Sequence, residues 1–209
     1  MNADNELPSA TMIDVVFPLL GHGLPCDHRL ALADAIEAAA PVWAELPRAG
    51  IHPIHLVANS GEPALLSQRA RLVLRVPRNS VDLVEDSLAD RELDVDGHRV
   101  KLGLPHQRRL LPHNTLYAHF VAVDHGEDEG DFLAAINAEL DALGARCHRV
   151  CGRRQHYRGR EAALVGYSLM LHGLAAGDSL RVLETGLGRH RWLGAGVFVP
   201  HRSAAAVGV

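Results

Sequence analysis

The chain has 209 residues, of which 47% are hydrophobic and 22% charged, enough for a packed core and against wholesale disorder. The net charge of −4 excludes a uniformly basic nucleic-acid binder, but the charge is segregated: residues 1–141 carry 22 acids and 11 bases, residues 142–209 carry 3 acids and 10 bases. No apolar run approaches the ~20 residues of a membrane-spanning helix, and the opening MNADNELPSA, acidic and without a basic n-region, does not read as a secretory signal. Residues 1–11 are expected to form a flexible lead-in. A basic lobe can bind a polyanion despite an acidic total, because phosphates respond to local potential. Cys26, Cys147 and Cys151 form neither a disulfide framework nor a zinc pair, so free thiols in a reducing cytoplasm are expected.

In chain order, Met12–Leu20 reads as an apolar strand. Asp27–Glu45 reads as a helix with Leu32, Ile36, Ala39 and Trp43 on one face and Asp27 as N-cap. Ile51–Val57 is a second strand. Over Arg69–Val76, Ala70, Leu72, Leu74 and Val76 alternate with Arg69, Arg71, Val73 and Arg75, so the arginine face is expected to be open or to touch a ligand. Ser80–Leu88 is a helix capped by Ser80. Leu93–Leu102 is a hairpin turning at Asp96-Gly97.

This β-α-β-β-α-β order then repeats. Leu116–Val123 is a strand, Glu129–Leu143 an amphipathic helix, and Arg146–Cys151 a short strand. Ala162–Leu171 is a strand, Ala176–Leu187 a helix, and Val197–Val199 a last strand. The expected fold is α+β: two tandem ferredoxin-like (RRM-like) domains, 12–105 and 112–209, joined near Pro105–Pro112, with a C-terminal glycine-rich loop.

That loop, TGLGRHRWLGAGVF (185–198), is the strongest motif. Gly186, Gly188, Gly194 and Gly196 permit sharp bends, and Arg189, His190 and Arg191 lie between them. Backbone N–H groups and guanidinium groups together can cradle a phosphate. The loop follows a helix and precedes a strand, the reverse of a dinucleotide-binding fingerprint.

A glycine loop of this spacing near the end of tandem ferredoxin-like domains resembles the CRISPR repeat-processing endoribonucleases, part of the wider repeat-associated RNA-binding superfamily. FPLLGHGLPCDHRLALADAI (17–36) resembles their N-terminal strand, loop, Asp-His and helix, and GLGRHRWLGAGVFVPH (186–201) resembles their C-terminal signature. The resemblance implies cleavage of CRISPR repeat RNA without metal or cofactor. The 2′-hydroxyl attacks the adjacent phosphate and leaves a 2′,3′-cyclic phosphate and a 5′-hydroxyl. It also implies possible delivery of the product to other Cas proteins of an interference complex, and leaves the oligomeric state open.

Of the 14 histidines, His28 matches the family's Asp-His and is the expected catalytic residue. A helix start pushes its imidazole toward the neutral form that a general base requires, while neighbouring Asp27 pushes the other way, so the sequence leaves the net shift open. His22, six residues earlier, is the candidate second proton carrier or an RNA contact. The family often adds a further charged or hydroxyl group, for which Lys101, the sole lysine, is a weak candidate. His52 and His55 form HxxH, but on a strand their rings point to opposite faces and no further ligands are evident.

The expected RNA surface is RCHRVCGRRQHYRGR (146–160), where Arg153, Arg154, His156, Tyr157 and Arg158 mix cations with rings. Arg108 and Arg109 in the connector can reach an interdomain cleft. Two alternatives stand beside this reading. One is a non-catalytic RNA-binding subunit of a CRISPR complex. The other is a two-histidine phosphoesterase built on His113-Asn-Thr115 and His201-Arg-Ser203.

Overall fold

The structure, a computed structural model, describes residues 10–57, 63–126 and 128–202. The first half comprises β1 (Met12–Gly21), β2 (Gly23–Leu24), α1 (Arg29–Ala39), a 3-10 turn (Pro41–Glu45), β3 (Gly50–Ile51), β4 (Leu56–Val57), β5 (Ala64–Leu66), β6 (Arg71–Pro77), α2 (Val81–Leu88), β7 (Glu92–Val95), β8 (His98–Leu102) and β9 (His106–Arg109). The second half comprises β10 (Thr115–Val121), α3 (Glu129–Leu143), β11 (His148–Arg158), β12 (Ala163–His172), α4 (Ala176–Thr185) and β13 (Val199–Pro200).

Both halves build the same antiparallel sheet. The first runs β3-β6-β1-β8-β7, with β9 also pairing β1; the second runs β11-β12-β10-β13. In each, the first strand of the unit is central and a helix crosses to a strand two places away, which is the ferredoxin-like order expected from the sequence. The small sheet β2-β5-β4 is an insertion that the sequence reading did not resolve.

Several elements differ from expectation, each for a local reason. The helix expected over 27–45 stops at Ala39, because Pro41 lacks an N–H and its ring opposes a continued helix. His28, not Asp27, is the N-cap, and neither His28 nor Ser80 makes a side-chain cap bond. The strand expected over 51–57 breaks at Pro53 into β3 and β4, which join different sheets. The basic strand β11 has 11 residues where a short one was expected. The last strand is Val199–Pro200 rather than 197–199.

The connector is not a loop: Gln107, Arg108 and Arg109 pair with Val15, Asp14 and Ile13 of β1. The turn expected at Asp96-Gly97 is formed. Asp96 and Gly97 both have positive φ, the geometry of a two-residue hairpin turn. Asp128 caps α3 by accepting from the Asp131 amide, and Gly144 ends it in the left-handed region.

The halves exchange residues across their junction. Ala10, Met12 and Leu110 are buried in the second core, around Leu116, Phe132 and Phe198. Leu193 of the glycine-rich loop is buried in the first, with Trp192 packed against it. The Thr11 hydroxyl adds a 2.8 Å bond to Glu184 of α4.

Candidate functional site

His28 caps α1 and is buried, 7% exposed. Its Nδ1 lies 3.0 Å from the Pro25 carbonyl oxygen. A carbonyl only accepts, so Nδ1 carries the hydrogen and Nε2 keeps its lone pair. Burial lowers the His28 pKa, and the positive charge of Arg29 lowers it further, against the opposing pull of Pro25 and Asp27. The ring is therefore neutral at pH 7.

Arg29, which the sequence reading passed over, ties α1 to the second half. Its guanidinium stacks 4.2 Å from the centre of the Tyr157 ring and donates to the carbonyls of Leu193 and Gly194, at 3.4 and 3.3 Å. Tyr157 also packs edge-on against Phe120. Its hydroxyl donates to Gln155, whose amide donates to the His119 carbonyl at 2.7 Å. The start of α1, the glycine-rich loop and β11 thus form one connected wall.

In the loop, Gly186, Gly188, Gly194 and Gly196 all have positive φ. A Cβ on Gly188 would lie 2.3 Å from the Ala122 carbonyl oxygen, and one on Gly196 would lie 1.9 Å from that of Leu187. Their role is to let the chain fold onto itself. The loop's amides are spent inside the protein: Gly188 donates to Glu139 at 2.7 Å, Arg189 to Ala122, Gly194 to Arg191 and Gly196 to Phe120. The expected cradle of backbone N–H groups is not formed by these, so anion contact there falls to side chains. Arg189 points outward and pairs with Asp124 at 2.6 Å, whereas the Arg191 guanidinium is buried. His190 holds a left-handed backbone between them.

On β11, Arg153, Arg154, His156 and Arg158 are exposed, while Tyr157 is half-buried beneath Arg29. His22 lies exposed on the bend between β1 and β2. Lys101 is exposed on β8, paired with Leu20 and Glu92.

Between the halves lies a cavity of about 590 Å³ whose walls include Asp14, His52, His55, Arg69, Arg71, Arg108, Arg109, His113 and His119. Of the face expected to be open, Arg69 and Arg71 are exposed, but Arg75, which also reaches this wall, is 1% exposed, and there the expectation is corrected. Its Nε and Nη2 donate to Asp14 at 2.8 and 3.3 Å, and its Nη1 donates to the carbonyls of Leu183 and Phe198, both at 2.9 Å. Asp14 is also reached by Arg108 Nη2 at 3.0 Å and by His52 Nε2 at 3.2 Å. Burial pushes the Asp14 carboxyl up, but these partners outweigh it and hold it well below the usual carboxylate range.

Because Pro53 breaks the strand, His52 and His55 line the same cavity rather than opposite faces. His55, His119, Tyr117 and His201 form a row of rings with successive centroids 5.6, 4.9 and 5.5 Å apart. Among the described residues, no group of three or more His, Cys, Asp or Glu side chains is gathered to hold a metal. His113 precedes β10 and His201 follows β13, so neither H-x-[ST] motif has its histidine within a strand, and Ser203 lies outside the described residues.

The buried histidines predict acid sensitivity. Burial is the leading cause that lowers the pKa of His28, His52, His119 and His190, with His119 reaching about 4. In the unfolded chain each titrates near 6.5. The unfolded state therefore binds protons first, and the stability these rings contribute is intact above about pH 6.5 and lost as pH falls through the folded values. Asp14 adds a second loss below about pH 4. Calorimetry should show a melting temperature that is flat above pH 7 and falls below about pH 6.5. A flat profile down to pH 5 would contradict the assignment.

The Cas6 CRISPR family model matches residues 13–203. The CRISPR-associated endonuclease Cas6 of Myxococcus xanthus (strain DK1622) is 36% identical over 195 residues, 93% of this chain and 84% of that protein. Among solved structures, a CRISPR-associated protein Cas6 superposes with a TM-score of 0.68 at 10% identity, covering 91% of this chain and all of the other. Thermus thermophilus Cse3, bound to an RNA representing a pre-cleavage complex, superposes with a TM-score of 0.53 at 14% identity, covering 90% and 98%. The two structures share the fold, and the family match spans nearly the whole described chain. The chain belongs to the Cas6 family, the CRISPR repeat-processing endoribonucleases.

Proposed function

We propose that this protein cuts CRISPR repeat RNA by metal-independent transesterification, with His28 as general base. The observation that carries the reading is the His28 ring: neutral, held by Pro25 through Nδ1, and set beside Arg29 at the junction of α1 with the glycine-rich loop. Its Nε2 takes the proton of the 2′-hydroxyl. The oxygen attacks the adjacent phosphorus and the bond from phosphorus to the 5′-oxygen breaks. The leaving oxygen takes a proton from the newly protonated His28 or from His22, giving a 2′,3′-cyclic phosphate and a 5′-hydroxyl. Arg153, Arg154, His156 and Arg158 on β11 hold the RNA, with Arg109 and Arg189 contributing from the cleft and the loop. Arg108 and Arg189 contribute less, because their charges are shared with Asp14 and Asp124. The product then passes to other Cas proteins.

The test is incubation of the purified protein with labelled repeat RNA in excess EDTA, beside a substrate carrying a single 2′-deoxy at the cut. One cut in EDTA, abolished by the 2′-deoxy, is the expected result. Cleavage that needs a divalent ion and ignores the 2′-deoxy refutes the mechanism. Tight binding with no cut at all makes the protein an RNA-binding subunit.

A further inference from the structure

The expected RNA surface 146–160 ends in an arginine whose charge is already taken. β11 and β12 form a hairpin that turns between Gly159 and Ala162, where the Gly159 amide donates to the Ala162 carbonyl at 3.1 Å. A Cβ on Gly159 would lie 2.5 Å from that oxygen, so glycine lets the turn close this tightly. On its other side, β12 pairs with β10 only as far as Tyr167, opposite Val121. Beyond that pair, Gln155–Arg158 and Ala163–Gly166 run on as a two-stranded ribbon. Two strands alone have little stability of their own, so the ribbon's direction is set by what it touches.

What it touches is α1 and the parts packed on it. Tyr157 lies under Arg29, the residue after His28. Leu164 packs against the first core. At the tip, Arg160 donates to Asp34 from Nε at 3.2 Å and from Nη2 at 2.7 Å, and Nη2 also donates to Glu37. The Arg160 Cζ lies 4.3 Å from the centre of the Trp192 ring in the glycine-rich loop. Asp34 and Glu37 are neighbours one turn apart on α1, so one guanidinium bridges both. Strand alternation turns Arg154, His156 and Arg158 away from the side that carries Gln155 and Tyr157. The ribbon thus offers cations on one side and is fastened by the other.

Asp34 lies six residues beyond His28, about 9 Å along α1 at 1.5 Å per residue. The Arg29 contact holds the ribbon beside His28, and the Arg160 contact sets the angle at which it leaves. We propose that Arg160 is a positioning residue: by tying the hairpin tip to α1, it sets which phosphate of an RNA lying on β11 reaches His28. The role rests on the reading of this protein as a repeat-cutting enzyme. Arg160 touches no reacting atom and acts through the ribbon. A displacement of about 1 Å at the reacting phosphate can cost about 10²-fold in rate, so a small swing of the ribbon is enough.

Three variants of the full chain separate this role from an RNA contact. They are Arg160→Ala, Arg160→Lys and the double variant Asp34→Asn/Glu37→Gln, which breaks the tether yet frees the Arg160 charge. Binding, single-turnover cleavage and the position of the cut are read on labelled repeat RNA. Arg160→Ala and the double variant should both lose about tenfold or more in rate and yield products cut at neighbouring phosphates, with affinity within a few-fold of wild type. Arg160→Lys keeps the charge and should restore the single cut in part. If Arg160→Ala weakens binding while the double variant binds more tightly and cuts as wild type does, Arg160 is an RNA contact and the proposal falls. A slower cut that stays at one position in both variants also overturns it, because loss of folded protein slows cutting without moving it.

Hydrogen exchange without RNA gives an independent reading. The amides of residues 155–166 should exchange faster in Arg160→Ala and in the double variant, and those of β10 should not. Unchanged exchange over 155–166 overturns the tether itself. If wild type binds RNA and never cuts it, the endonuclease reading fails and the positioning role with it, whereas the exchange still decides whether the tether holds the ribbon.

Discussion

Replacing His28 by alanine is expected to lower the single-turnover cleavage rate by about 10²–10⁴-fold, the usual contribution of a positioned general base, while repeat RNA binds within a few-fold of wild type. The separation follows from the geometry. The cations proposed to hold the RNA lie on β11, in the cleft and on the loop, whereas the His28 ring is held through Nδ1 by the Pro25 carbonyl. Loss of that bond removes no anchor for the loop, because the neighbouring Arg29 carries the contacts to Leu193, Gly194 and Tyr157. The pH profile provides a second check. A base whose pKa is lowered by burial is competent down to lower pH than free imidazole. The acidic limb of kcat/KM should therefore turn over below pH 6.5, and the rate should be flat through neutrality. Equal losses of binding and cutting in His28→Ala, or an acidic limb above pH 6.5, would count against His28 as base.

Replacing Arg75 by alanine should destabilise the protein by about 3–5 kcal/mol, the range for removing one member of a buried pair. That is a large part of a total of about 5–15 kcal/mol. Arg75 joins β1 to β6 through Asp14 and joins both to the second half through the carbonyls of Leu183 and Phe198. Alanine strands those two carbonyls and leaves Asp14 to the half-exposed Arg108 and to a His52 that burial keeps neutral. Urea denaturation gives the value. A double-mutant cycle with Asp14→Ala should be less than additive, because deleting the carboxylate removes the charge that Arg75→Ala leaves exposed to the interior. A loss under 1 kcal/mol, or strict additivity, would show that Arg75 does not hold the halves together.

What could be read from the sequence was what neighbouring residues decide. The alternation through Ala70, Leu72, Leu74 and Val76 marks a buried face, and all four are buried. The Asp96-Gly97 turn and the span of α3 are likewise local. The misreadings have distant causes. His106–Arg109 contains no apolar residue, and it forms β9 because β1 offers a free edge to its backbone. Arg75 sits on the polar side of an alternating strand, yet its partner is 61 residues away in the chain, so nothing nearby announces that it is buried. Pro41 was an available signal and should have shortened the first helix.

The candidate site divides in the same way. His28 and the glycine-rich loop stand out as motifs, but Arg29 matters through Tyr157 and two loop carbonyls more than a hundred residues later. The inward turn of Arg191, against the outward turn of Arg189, is set by Gly186 and Gly50 and could not be told from the triplet Arg-His-Arg.

The exchange of Met12 and Leu193 between the two cores has a bearing on how the protein is born. Synthesis delivers β1 early, but the hydrophobic ground on which Ala10 and Met12 rest is made only when the last third of the message has been read. The nascent first half must wait on the ribosome with the start of its central strand uncovered and without the plug that Leu193 supplies. Such long-range closure slows folding and leaves sticky surface exposed in the meantime. A gene split at the connector would accordingly yield two fragments that each lack part of their interior, and that regain it only by finding one another.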